Sequence, residues 1–425
     1  MDLLPKSELF HRRSKLKSPL IICLTLLTLF GGACATYQSK VADSRSLLAS
    51  GRFEEALAQL KTLAETESKD QLVYLLDYAT ALKIAGRHSE AQKEFIRADK
   101  LTEQLDYVSV SQVAAATLTS EDQLSYKGES YEKLLINAMN ALSFVAEGKG
   151  EAALIEARRI NEKVMKIRSN GREDYEPNPF AHYLAALLWE SEKNYDSAYI
   201  EFERAYKADP SIPGLHADLI RMSKLARRNE TYKKWKDQFP GEKENPEWYQ
   251  KGYADLVVIV EQGWGPRKDF SNSDYRFPML VPVYSETQST RVEVTGRTQA
   301  TTQAVYNVTQ AAMETYQKDV AWMIARKIGS TIAKDLLAER IRQENQALGL
   351  VAWVVMRASD RADLRHWSTL PQSIQVARFR LTSGEYDLVL QGLNSGGGPT
   401  ADRLDLRNVH LKSGQMRFIS WRTLR

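Results

Sequence analysis

The sequence predicts an α+β multidomain protein: an N-terminal α-solenoid of helical repeats, a helix-containing region, and a small C-terminal β-sandwich-like module. Three observations carry this. A Gly-x-aromatic-x-x-Ala pattern recurs at about 35 residues in the first half. The composition then switches abruptly to β-branched residues at Ala254-Asp-Leu-Val-Val-Ile-Val260. The last 60 residues read as short strands separated by glycine turns.

The chain begins with a segment that addresses rather than folds. Lys6, Arg12, Arg13, Lys15 and Lys17 outnumber Asp2 and Glu8, Leu20 to Phe30 carry no charge, and Gly31-Gly32-Ala33 precede Cys34. A basic stretch, a short apolar run and small residues make a secretory signal over 1–33, and the run is too short to span a bilayer of ~30 Å. Cys34 after Gly-Ala resembles the lipobox of bacterial lipoproteins, in which the thiol receives a diacylglycerol, although Gly31 stands where that motif usually carries Leu. The resemblance implies lipidation at Cys34, a linker over 34–41, and outer-membrane sorting, because Ala35 rather than Asp follows the cysteine. Cleavage after Ala33-Cys34-Ala35 is the alternative and would give a soluble periplasmic protein. Cys23 lies in the leader, so Cys34 has no intramolecular partner and the fold does not rest on disulfides. The leader also carries most of the net charge of +4, which leaves the rest near neutral and without the basic surplus that nucleic acid requires.

Residues 42–245 hold the repeats. Gly51-Arg-Phe53-Glu-Glu-Ala56 with Leu60 returns as Gly86-Arg-His88-Ser-Glu-Ala91 with Phe95 and Ala98. Lys193-Asn-Tyr195-Asp-Ser-Ala198 with Phe202, Ala205 and Pro210 is the clearest copy, and Gly148-Lys-Gly150-Glu-Ala-Ala153 a degenerate one. The small residue lets paired helices approach and the larger one fills the next groove. The spacing resembles a tetratricopeptide repeat array, whose groove usually takes peptide or protein. Tyr74, Tyr78, Tyr183, Trp189 and Tyr199, at helical spacing, are expected in the core. Glu173 to Pro179 reads as a loop inside the array, and Pro240 to Pro246 as its end.

Beyond it, 250–300 is strand-rich. A helical segment follows over 305–357, with Met313, Tyr316, Val320, Met323, Ile324 and Ile328 at spacings of three and four. Its end, Ala347 to Met356, is read as either helix or strand. The module at 363–425 offers four strands, completed into a sandwich by those before the helix.

Several local motifs together resemble a family of bacterial tetratricopeptide lipoproteins with no assigned activity. They are Tyr126-Lys-Gly-Glu-Ser-Tyr131-Glu132, Glu156-Ala-Arg158-Arg159-Ile-Asn161, Asn178-Pro-Phe-Ala-His-Tyr183, Val257 to Gly263 with Pro266-Arg267-Lys268, and Asp363-Leu-Arg365-His-Trp367-Ser-Thr-Leu370-Pro371. The resemblance implies an envelope location and a two-part architecture.

No nucleophile elbow, zinc-protease helix, P-loop or dinucleotide fingerprint is present, and the six histidines stand singly. Gly263-Trp-Gly265 lacks the third glycine of a phosphate loop and reads as a tight turn. No catalytic residue, metal or cofactor is therefore expected. Glu156, Arg158, Arg159 and Asn161 form a candidate partner-binding cluster, with intrahelical pairing of Glu156 to Arg159 and Arg158 to Glu162 as the structural reading. Asp363, Arg365 and Trp367 form a candidate junction, an Asp–Arg pair under a Trp lid. The function expected is a non-enzymatic, outer-membrane-anchored scaffold that gathers envelope proteins in the repeat groove. A self-associating subunit of a larger envelope complex is the alternative.

Overall fold

The computed structural model describes residues 37–116, 124–169, 178–270, 278–344 and 362–425. The signal, Cys34 and the 347–356 segment lie outside them.

Ten helices make five hairpins: α1 (Tyr37–Ala49) with α2 (Phe53–Glu65), α3 (Gln71–Ile84) with α4 (His88–Ala116), and α5 (Ser130–Ala146) with α6 (Gly150–Ser169). They continue with α7 (Pro179–Ser191) and α8 (Tyr195–Ala208), then α9 (Leu215–Leu225) and α10 (Asn229–Gln238). One turn builds all five. Gly51, Gly86, Gly148, Lys193 and Arg227 take φ between 58° and 78°. The next N–H reaches back five residues: Arg52 to Leu47 O, Arg87 to Leu82 O, Lys149 to Phe144 O, Asn194 to Trp189 O and Arg228 to Ser223 O, at 2.8–2.9 Å. This is the Schellman closure, which needs the left-handed residue that glycine supplies most cheaply. Ala56, Ala91, Ala153 and Ala198 are fully buried at the contacts within the hairpins, as their shared offset requires.

The two helices of each hairpin have different surroundings. In α3, every residue from Leu72 to Lys83 is buried, and α5 and α7 are buried nearly all round. The outer helices α2, α6 and α8 bury one stripe each. Helices buried on every side need a neighbour on both faces. For the inner layer, α1, α3, α5, α7 and α9, that second neighbour is the C-terminal half.

That half is one two-sheet unit, in which the strands of the 250–300 segment complete the sheets of the 363–425 module. Strands β1 (Tyr253–Gln262), β6 (Gln303–Tyr306), β7 (Ser373–Thr382) and β10 (Met416–Arg422) form a first sheet in the order β10-β1-β7-β6. Strands β4 (Ser289–Val294), β5 (Thr298–Thr301), β8 (Gly384–Leu393) and β9 (Pro399–Leu411) form a second, ordered β5-β4-β8-β9. A small hairpin pairs β2 (Arg267–Phe270) with β3 (Pro278–Val281). Helix α11 (Val308–Glu344) leaves between β6 and β7, burying Val308, Ala312 and Tyr316 near its start.

Strand β1 pairs in parallel with β10 and antiparallel with β7. Its alternate residues Leu256, Val258 and Val260 pack toward the second sheet on Val292, Leu388 and Leu390. Val257 and Ile259 face the helices with Ile374 and Val376. This is why β1 reads as an unbroken apolar run. The layers run outer helices, inner helices, first sheet, second sheet.

The repeat contacts have a direct test. Ala198→Phe should overpack the α7–α8 contact and destabilise the protein by roughly 1–3 kcal/mol. Lys193→Gly relieves a left-handed side-chain residue and should raise stability by up to about 1 kcal/mol. Chemical denaturation of the full chain reads both.

Candidate functional site

The face of the array that tetratricopeptide grooves leave open is occupied here by the chain's own extended segment 362–372 and by the first sheet. Two buried carboxylates on the inner helices hold that segment. Asp77 on α3 accepts from Thr369 N–H (3.0 Å), Thr369 Oγ1 (2.9 Å), Ser368 Oγ (3.1 Å) and the Tyr37 hydroxyl. Glu132 closes a capping box at the start of α5 and also accepts from Trp367 N–H at 2.7 Å and from the Tyr126 hydroxyl. The Trp367 indole donates to Thr80 Oγ1 at 3.0 Å and packs against Phe95 with centroids 6.0 Å apart.

Arg365 is tied to Asp363 (2.8 and 2.7 Å), Asp70 (2.9 Å) and the carbonyls of Lys69 and Leu124. The sequence-level pair of Asp363 and Arg365 therefore meets, but Trp367 is not its lid. The ring over the guanidinium is Tyr126, 5.3 Å away, and Trp367 enters the helical core against Phe95.

The ion pairs continue along the interface. Lys83 pairs with Glu261 at the end of β1, both fully buried, and Lys268 pairs with Glu129. At the far end, Arg378 on β7 bonds Asp218 at 2.7 Å and lies 3.4 Å from Glu190, which also binds Arg221. Phe180 of α7 stacks on Tyr306, and Gln38 of α1 donates to Lys268 O at 2.8 Å. Every inner helix thus contacts the β half.

Burial sets the protonation of these groups. Desolvation pushes Asp77 up to about 6 and Glu132, with Glu129 beside it, up to about 7. It brings Lys83 down to about 7, with Arg422 adding to the shift, and the His366 imidazole down to about 4.

The other candidates lie elsewhere. Glu156 is buried between α5 and α6, accepting from Asn137 at 2.7 Å and Arg159 at 2.9 Å. Arg158 is exposed and lies over Trp189, 5.1 Å from its centroid, rather than on Glu162. Asn161 is half-buried. These residues split between the inside and the outside of α6 and do not form one cluster. Gly263 takes φ 63°, its added Cβ would collide with Ser285, and the turn leads directly into Trp264. Tyr74, Tyr78, Tyr183 and Tyr199 are buried and Trp189 half-buried. Among the described residues no group of three His, Cys, Asp or Glu side chains is placed to hold a metal.

No family model matches the chain, and no curated protein matches it. Several solved structures show a partial likeness to the first half of the chain. MamA (41-end) from Desulfovibrio magneticus RS-1 is 17% identical with TM-score 0.32, covering 48% of this chain and 91% of its own. A kinesin light chain of TPR-like repeats from Podosopora anserina is 14% identical with TM-score 0.32, covering 48% and 92%. Another MamA structure is 11% identical with TM-score 0.31, covering 49% and 96%. The repeat fold rests on the five hairpins of this chain, not on these likenesses.

The buried acids and the buried lysine act in opposite directions. Glu132, raised in the fold, contributes stability that is present below about 4.5 and lost as pH rises through about 7. Glu132→Gln should flatten the stability profile over that window, an effect on the order of 3 kcal/mol. Lys83, lowered in the fold, makes stability rise with pH between about 7 and 10.5, and Lys83→Met should remove that rise. Denaturant titrations across pH measure both. Trp367→Ala should cost about 3–5 kcal/mol.

Proposed function

We propose that this chain is a non-enzymatic protein-binding scaffold of the bacterial cell envelope, tethered to the outer membrane through a lipid on Cys34. The repeats are turned inward. The observation that carries the reading is the engagement of all five inner helices by the chain's own β half through polar contacts at Gln38, Asp77, Lys83, Glu132, Glu190 and Asp218. A repeat groove used in this way makes one rigid body out of two halves. Partners then meet the surfaces that this packing leaves free, on the outer helices, the second sheet and the sheet edges. The leader and Cys34 supply the anchoring part of the proposal. Two or more acyl chains on one cysteine suffice for stable attachment.

Cys34→Ser should move the protein to the soluble fraction or leave the leader attached. Unchanged fractionation with an unmodified mature N-terminus refutes the anchor. In crosslinked cells, the full-length protein should retain a defined envelope protein at a fixed ratio. A chain that retains only itself supports instead a self-associating subunit of a larger complex.

A further inference from the structure

Helix α1 begins at Tyr37, inside the stretch expected as a linker over 34–41. Tyr37 is held firmly in the body. It is 5% exposed, its hydroxyl donates to Asp77, and its ring lies 5.5 Å from Tyr74 and 6.0 Å from His366. Three Cα–Cα steps separate it from Cys34, so the cysteine stays within about 11 Å of the folded body. A lipid on Cys34 therefore draws one particular edge of the molecule to the bilayer.

That edge is where the first inner helices begin. Asp70 stands at the start of α3 and Glu129 at the start of α5. Lys268 of β2 pairs with Glu129, and its carbonyl accepts from Gln38 Nε2 at 2.8 Å. The β2–β3 hairpin runs beside α1 toward the same edge. Near its base, Trp264 lies under the Arg45 guanidinium, 4.8 Å away. By Lys268 the chain has reached Gln38, about 10 Å nearer the helix start. Two further strand residues, about 7 Å, carry Phe270 past the level of Tyr37. Phe270 pairs with Pro278 in the hairpin and is 46% exposed. Helix α11 comes to this edge as well: Tyr316 donates to Pro278 O at 3.4 Å, and its ring lies 5.6 Å from Lys268 Nζ.

We propose that this edge, the start of α1 and the β2–β3 hairpin with Phe270 foremost, is seated on the lipid surface that holds Cys34. The inference rests on the Cys34 anchor and deepens it by giving the scaffold an orientation. An exposed phenyl ring finds apolar surroundings at the boundary of headgroups and acyl chains. One ring does not hold a body of this size, so the short tether does. The turns at Gly51, Gly86 and Gly148 close the other ends of α1, α3 and α5, and they face away from the lipid.

The test uses the lipidated full chain. Its mature form has no free thiol, because Cys23 leaves with the leader and Cys34 carries the lipid. Phe270→Cys and Ser50→Cys each then provide a single site for a fluorescent label, Ser50 being exposed at the opposite end of α1. In phosphatidylcholine vesicles bearing a headgroup nitroxide, the label at 270 should be quenched at least twofold more than the label at 50. Twelve Gly-Ser residues inserted after Thr36 should at least halve that difference. Equal quenching at both sites in protein that floats with the vesicles overturns the orientation and leaves the anchor standing. A difference that survives the insertion overturns the part given to the short tether. Protein that does not float removes the anchor, and this orientation with it.

Discussion

Everything in this structure depends on a sheet with two dry faces. One side of β1 closes the sandwich with Val292, Leu388 and Leu390, and the other closes the helical array with Val257 and Ile259. Five helical hairpins ordinarily bury one face of each helix and leave a groove. Here the groove face is a second interior, so the polar groups that α3, α5, α7 and α9 turn toward it find partners in the β half or on a neighbouring inner helix. The Asp77, Glu132, Glu190 and Asp218 carboxylates reach the β half through backbone amides, hydroxyls and the Arg378 guanidinium.

Such an interface is specific more than it is strong. Desolvating a charged pair offsets most of its attraction, whereas removing one partner leaves a buried charge unpaired. The contacts therefore define how the halves are placed. An apolar interface of equal area would tolerate sliding, but four acceptor bonds at Asp77 and the Arg365 fork allow one position along α3. Apolar burial at Trp367, Val376 and Tyr306 supplies the gain that these charges do not.

The sequence was legible where physics is local. Gly51, Gly86 and Gly148 marked the hairpin turns because φ there is positive, and Lys193 was found through its Ala198 and Phe202. The fifth hairpin escaped because Arg227 stands for the glycine and Tyr232 for the alanine, leaving nothing of the pattern. The β1 run announced a strand buried on both faces. The filling of the groove had a signal too: Gln71 to Ile84 and Pro179 to Ser191 carry apolar residues on every side, which a one-faced helix does not need. Asp77 sat unremarked in α3, and Glu132 in α5 was noted only as part of a local motif. Their partners lie 292 and 235 residues away, a relation that no spacing rule encodes. Asp363 and Arg365 were found because they are two residues apart. The role of Trp367 was misjudged because its ring follows the groove rather than its neighbours.

The long sequence separation across the interface has a consequence in time. Trp367 meets Glu132 across 235 residues, and Arg365 meets Asp70 across 295. Hairpin contacts close over a few residues whereas this interface closes over hundreds, so the inner helices form before the strands that cover them. During that interval the array can form its hairpins, since those contacts are local, but its inner face carries bare apolar surface and unpaired carboxylates. Water solvates those carboxylates, and their charge keeps young arrays apart until β7 and the 362–372 segment arrive. The groups that are costly in the finished interior thus act as solubilising groups while the chain is incomplete.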